Sequence, residues 1–116
     1  MAEEEEKRAA GAVRLRKFIE VVVEDARSFT LFRAVVADVS ETGMRVISEQ
    51  YLPKGTRYTF TFKRSPFLTV RGEVRWVRPF ERDTFQLGVL FVDVADADRR
   101  RLHTFLEIER ARVPTS

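Results

Sequence analysis

The sequence predicts a small all-β domain with one helix: six antiparallel strands in a barrel and an α-helix at the C-terminal end. Three observations predict it. Short runs rich in β-branched and aromatic residues recur across residues 18–92, with apolar and polar positions alternating at period two. Turn chemistry separates the runs, at 38–43, 52–55, 64–66 and 79–83. The period then changes, and Leu102, Phe105 and Leu106 recur at helical spacing. A chain of 116 residues fits one domain with one hydrophobic core.

The elements follow in order. Residues 1–13 read as a flexible charged tail: glutamates at 3–6 precede Lys7 and Arg8, and Gly11 interrupts any helix there. The barrel domain takes 14–112. Basic residues at 14, 16 and 17 lead into a first strand at 18–23. Residues 24–28 turn, and a second strand runs 29–37, with Phe29, Leu31, Val35 and Ala37 on one face and Phe32, Ala34 and Val36 on the other. The third strand is 44–48. Leu52-Pro53-Lys54-Gly55 matches a type I turn with Pro second and Gly fourth.

The fourth strand, 57–63, alternates most clearly, with Tyr58, Phe60 and Phe62 on one face. The fifth, 67–77, places Leu68, Val70, Gly72, Val74 and Trp76 together, so Trp76 reads as core packed against the fourth strand. The sixth, 84–92, carries Gly88, which suggests a bulge or a barrel corner. Asp93 or Asp96 can cap the helix, and Arg110 and Arg112 suit its negative end.

Composition removes several function classes. There are no cysteines and one histidine, His103, which excludes a disulfide framework and a Cys/His metal centre. No apolar stretch approaches the roughly 20 residues of a membrane helix, and the acidic N-terminus is not a signal peptide. A cytoplasmic location is the expectation. The net charge of +3 suits an anionic ligand and equally an ordinary surface. No phosphate-cradling Gly-x-x-x-x-Gly-Lys loop and no Gly-x-Gly-x-x-Gly fingerprint is present. His103 reads as a helix-surface histidine, Arg99-Arg100-Arg101 as a solvated helix face, and Glu20 and Glu73 as solvent-facing or arginine-paired. No catalytic site, metal or cofactor is expected.

The stretch that can carry chemistry is Asp38-Val39-Ser40-Glu41-Thr42-Gly43. Asp38 offers a carboxylate that accepts two hydrogen bonds side by side, and Ser40 a hydroxyl that donates or accepts. Gly43 permits positive φ or a close approach of another group. The same three residue types make any tight connection, because Asp and Ser bond their own backbone. Both readings stand at this point.

The ordered set of motifs resembles a known family. Asp38-x-Ser40-x-x-Gly43 follows a strand; Leu52 to Gly55 supplies a Leu-Pro-x-Gly turn; Gly72-Glu73-Val74-Arg75-Trp76 and Gly88-Val89-Leu90-Phe91 follow, then a helix with Leu102. This order and spacing resembles a PilZ domain over roughly 14–108. The resemblance implies a six-stranded barrel with a helix. It also implies a bacterial, non-catalytic signalling receptor for cyclic di-GMP.

In such domains an Arg-x-x-x-Arg loop before the first strand wraps the ligand, and the Asp-x-Ser-x-x-Gly turn holds it from the barrel side. A planar guanidinium suits phosphate and the guanine edge, and it stacks on bases. By resemblance, Asp38 and Ser40 contact the ligand and Gly43 leaves room. The arginine half departs from the pattern, because no two arginines lie four apart there. If Arg16 is the second arginine, its partner is Ala12; for Arg14 it is Ala10; for Lys17 it is Val13. Arg8 and Arg14 are six apart.

The expected ligand-binding set is therefore Arg14, Arg16, Asp38, Ser40 and Gly43, with Arg8 and Lys17 in reserve. Three functions compete. The first is a cyclic di-GMP receptor with an altered arginine loop, relaying to a protein partner the sequence does not name. The second is a PilZ-like module that binds no nucleotide and docks proteins. A nucleic-acid-binding barrel ranks last, because the periodic aromatics at 58, 60, 62 and 76 are better explained as core.

Overall fold

Tyr58, Phe60 and Phe62 lie on one face of a strand, and all three are buried. Around them the alternation of the other strands builds the wall of a barrel. The computed structural model describes residues 15–64 and 68–112. It contains β1 (Leu15–Asp25), β2 (Thr30–Val39), β3 (Gly43–Ser48), β4 (Arg57–Phe62), β5 (Leu68–Pro79), β6 (Phe85–Phe91) and a helix α1 (Asp96–Ala111). The strands close in the order β1-β2-β3-β6-β5-β4. Every neighbouring pair is antiparallel, and the sheet closes on itself through β1 and β4. Ile19, Val21 and Val23 of β1, Val36 and Val39 of β2, Met44 and Val46 of β3, and Leu87 and Val89 of β6 fill the interior.

The predicted fold class is therefore the observed one, and several boundaries move. β1 is longer at both ends than 18–23, with a register shift between Arg16 and Ile19. Phe18 is exposed, because Ile19 takes the inward position. Phe29 is not in the second strand. It sits at the hairpin tip with φ +55°, 89% exposed, and β2 instead runs on through Asp38 and Val39.

β4 stops at Phe62 and β6 covers 85–91, each shorter than predicted. The turn before β4 lies one residue later than the sequence suggests. Thr56 N–H donates to the Pro53 carbonyl at 3.3 Å, so Gly55 is its third residue, with φ +90°. Positive φ at that position is what a type II turn requires.

α1 packs on β1 and β5 through Leu102, Phe105 and Leu106. The rings of Phe105 and Phe62 meet edge-on with centroids 5.0 Å apart. Ala95, not an aspartate, is the N-cap, and no side chain caps the helix. Asp96 and Asp98 fall in its first turn and complement the dipole there. Glu109 is fully buried on α1 and is held by Arg64 at 3.0 Å and Arg112 at 3.2 Å. That pairing satisfies a buried carboxylate and ties the helix to the β4–β5 connection. The predicted tail with Arg8, Gly11 and Arg14, the turn residues 65–66 and the first residue of the predicted fifth strand lie outside the described residues.

Candidate ligand-binding site

The end of β2 is irregular. Between Val36 and Asp38 the register against β3 shifts by one residue. Val36 stays in the core, and Asp38 pairs with Arg45 of β3. Met44 and Val46 point inward, so Arg45 between them points outward, and Asp38 shares its side of the wall. The Asp38 carboxylate accepts from the Arg45 guanidinium through Nε and a terminal nitrogen. Arg45 is itself partly buried, and Asp38 is fully buried although it lies outside the core.

The same row continues round the barrel. Arg45 faces Gly88 of β6, and Gly88 faces Trp76 of β5. In the other direction the backbone of Arg16 pairs with Asp38. One cross-strand line thus runs through positions 16, 38, 45, 88 and 76.

Trp76 was expected in the core and is not there. A register shift between Val74 and Trp76 turns it outward: Val74 is fully buried and Trp76 is 36% exposed. Gly88 makes room for it, since a Cβ at Gly88 would collide with the indole ring. The predicted bulge near Gly88 therefore lies across the ladder, on β5. Arg78 stacks its guanidinium 4.7 Å from the Trp76 ring centroid. Its Nε and a terminal nitrogen donate to Gln86 Oε1 at 3.1 and 3.0 Å. Two arginines and an indole therefore share the outer face with the motif aspartate.

The turn itself is internally bonded. Ser40 N–H donates to the Gly43 carbonyl at 2.8 Å. The Ser40 hydroxyl lies 3.3 Å from the same carbonyl and accepts from Thr42 N–H at 3.3 Å. Gly43 begins β3, and the group that approaches it is the Val89 carbonyl, which a Cβ would strike. The barrel wall therefore requires glycine there.

Glu41 reaches from this turn to α1, where its Oε2 lies 3.0 Å from His103 Nδ1. Glu107 lies 3.3 Å from the other ring nitrogen. The Glu41 hydrogen bond, then the Glu107 charge, raise the pKa of His103 above its ordinary value.

Of the expected site residues, the structure brings Asp38, Ser40 and Gly43 together and sets the backbone of Arg16 beside Asp38. Lys17 follows on β1, and Arg8 and Arg14 lie outside the described residues. Sequence reasoning missed Arg45, Arg78 and Gln86. Arg45, two residues after Gly43, was legible as the outward partner of Asp38 once β2 and β3 were read as a hairpin. Trp76 and Arg78 were not, because the glycine that marks the bulge, Gly88, lies on the facing strand and does not say which strand carries the extra residue. Glu20 pairs with Arg33 at 3.5 Å and Glu73 with Arg57 at 3.1 Å, as predicted. Among the described residues no group of acids and histidines is arranged to hold a metal, and no helix is long and apolar enough to cross a membrane.

Solved structures share this architecture. Bacillus subtilis MotI/DgrA, an inhibitor of motility, superposes with a TM-score of 0.69 at 12% identity, over 88% of this chain and 51% of its own. The PilZ domain of Escherichia coli YcgR with c-di-GMP gives 0.68 at 17%, over 86% of this chain and 91% of its own. The K. pneumonia MrkH–c-di-GMP complex gives 0.69 at 14%, over 88% and 52%. The chain thus spans about half the length of MotI/DgrA and MrkH. At these identities the likeness speaks for the fold. No curated protein matches the chain. The family model described as PilZ domain matches residues 4–107, nearly the whole sequence, and with the six-stranded barrel and the Asp-x-Ser-x-x-Gly turn in place the chain belongs to the PilZ domain family.

Proposed function

We propose that the domain is a non-catalytic receptor module that binds cyclic di-GMP on its outer β1–β2–β3–β6–β5 face and relays the bound state to a protein partner. The observation that carries this is the cross-strand line through position 16, Asp38, Arg45, Gly88 and Trp76. The ligand has two phosphates, which arginines hold, and two guanines. A guanine presents O6 and N7 acceptors to a guanidinium and a donor edge to a carboxylate. Arg45 and Arg78 supply the first complement and Asp38 the second. The Trp76–Arg78 stack adds a planar surface for a base. On entry the ligand exchanges for Arg45 at the Asp38 carboxylate, and Arg45 turns to a phosphate. Arg16 takes the second-arginine position of the N-terminal loop, with Ala12 at the partner position, a register supported by its backbone pairing with Asp38. Two of the structural relatives, YcgR and MrkH, are complexes with this nucleotide.

Calorimetry with cyclic di-GMP tests the assignment. The native chain binds, and Asp38→Ala and Arg45→Ala each weaken binding by about tenfold or more, the scale of one bidentate contact at ~1–3 kcal/mol. Ala12→Arg restores the missing partner of Arg16 and tightens binding by a similar factor. Asp38→Ala added to Ala12→Arg cancels that gain.

A second reading has its own support. Ser40 and Gly43 spend their hydrogen bonds inside the turn, and Asp38 is buried and paired with Arg45. In that case the module docks proteins without nucleotide. No binding by either the native chain or Ala12→Arg, with the fold intact by circular dichroism, decides for it.

A further inference from the structure

We propose that His103 is a positioning residue for the Asp-x-Ser-x-x-Gly turn, a proton-operated latch between α1 and the β2–β3 connection. The imidazole stands between two carboxylates from different elements: Glu41 of the turn at 3.0 Å on Nδ1, and Glu107 of α1 at 3.3 Å on Nε2. Only the imidazolium donates from both nitrogens at once. Protonated, the ring bonds turn and helix together. Neutral, it keeps one proton, and the other carboxylate faces a lone pair.

The neighbouring charges fit this role. Glu41 acts from the turn; Glu107 and Arg110 act from the helix, the arginine opposing the two acids. Asp96, Arg99, Arg100 and Thr104 line the same open cleft of about 450 Å3 with Glu41 and His103. The ring is more than half exposed, so protons reach it freely. The Glu41 bond first, then the Glu107 charge, raise the His103 pKa above its ordinary value and so favour the imidazolium.

The consequence concerns Glu41, which lies directly between Ser40 and Thr42. Fixing its side chain on the helix limits the freedom of the turn, and a pre-organised turn binds more tightly than one that must be ordered on contact. The effect on ligand rests on the cyclic di-GMP assignment; the latch does not. Helix α1 thereby gains a connection to the ligand face, a route by which occupancy and helix position bias each other.

Nuclear magnetic resonance on the ligand-free full chain tests the latch. Between pH 5 and 9, the amides of Ser40, Glu41, Thr42 and Gly43 shift with the same midpoint as the His103 ring. In His103→Ala they no longer follow it, and in His103→Arg they stay at their low-pH positions. Turn amides that do not move while the His103 ring titrates overturn the proposal, whatever the ligand does.

Calorimetry with cyclic di-GMP at pH 6 and pH 8 reads the coupling. The native chain binds severalfold more weakly at pH 8 than at pH 6. His103→Ala binds weakly at both values and His103→Arg tightly at both. Equal native affinity at the two pH values overturns the coupling. Titrating turn amides without nucleotide binding at either pH overturn the nucleotide assignment and leave the latch standing.

Discussion

Val74 and Trp76 stand two residues apart on β5 and finish on opposite sides of the barrel wall. Val74 follows the period-two rule, with Leu68 and Val70, into the core. Trp76 lies beyond a register shift and packs outside, against Gly88 and under Arg78. The same contrast holds on β2, where Val36 is inside and Asp38, after its own shift, is outside against Arg45. The inner face of the wall is thus set by alternation, and the chemistry of the outer face by places where alternation breaks. A bulge re-aims one side chain at the cost of a ladder bond. Here two bulges deliver an aspartate and a tryptophan to one row.

The contrast can be broken from the inside first. Phe60→Ala removes a fully buried ring, and unfolding by denaturant should show a loss of about 3–5 kcal/mol. A change below about 1 kcal/mol would mean that β4 presents its other face. Gly43→Ala should come next, near the top of the ~1–3 kcal/mol range for overpacking, because the obstacle is the Val89 backbone.

Gly88→Ala separates inside from outside. Its obstacle is an exposed indole that can swing away, so the loss should sit near ~1 kcal/mol and disappear in a Trp76→Ala background. Tryptophan fluorescence should report the displaced ring. If Trp76 were core, the double variant would be the least stable of the set.

The smallest effect concerns pH. His103 has its pKa raised in the fold, so its contribution is fully present below the unfolded value of about 6.5 and is lost as pH rises through the folded value. Thermal melting should therefore show a slightly lower midpoint at pH 8 than at pH 6, with that part of the difference absent in His103→Ala. A midpoint that rises with pH through this transition would reverse the sign of the assignment.

Much of this was legible in the residues. The aromatics at 58, 60 and 62 and the helical triad at 102, 105 and 106 announce their faces, because burial imposes a period that local sequence displays. The motif turn was legible as well, because Ser40 bonds Thr42 and Gly43 within the turn and needs no distant partner. The exposed Phe29 was not, since an apolar residue at a hairpin tip looks like the start of a strand.

By itself, the sequence determined the barrel class, six strands and one helix, the inward face of β4 and the motif turn with Asp38 and Ser40. These follow from periods and spacings shorter than a dozen residues. Only the tertiary structure decided that Arg45 pairs with Asp38, that Trp76 joins the outer face with Arg78, that Gly43 answers to the Val89 carbonyl, and that His103 reaches Glu41 across 62 positions. Each depends on register between strands or on the seating of the helix. A one-residue shift in either moves a side chain to the other side of the wall, and that shift is settled by packing summed over the whole barrel.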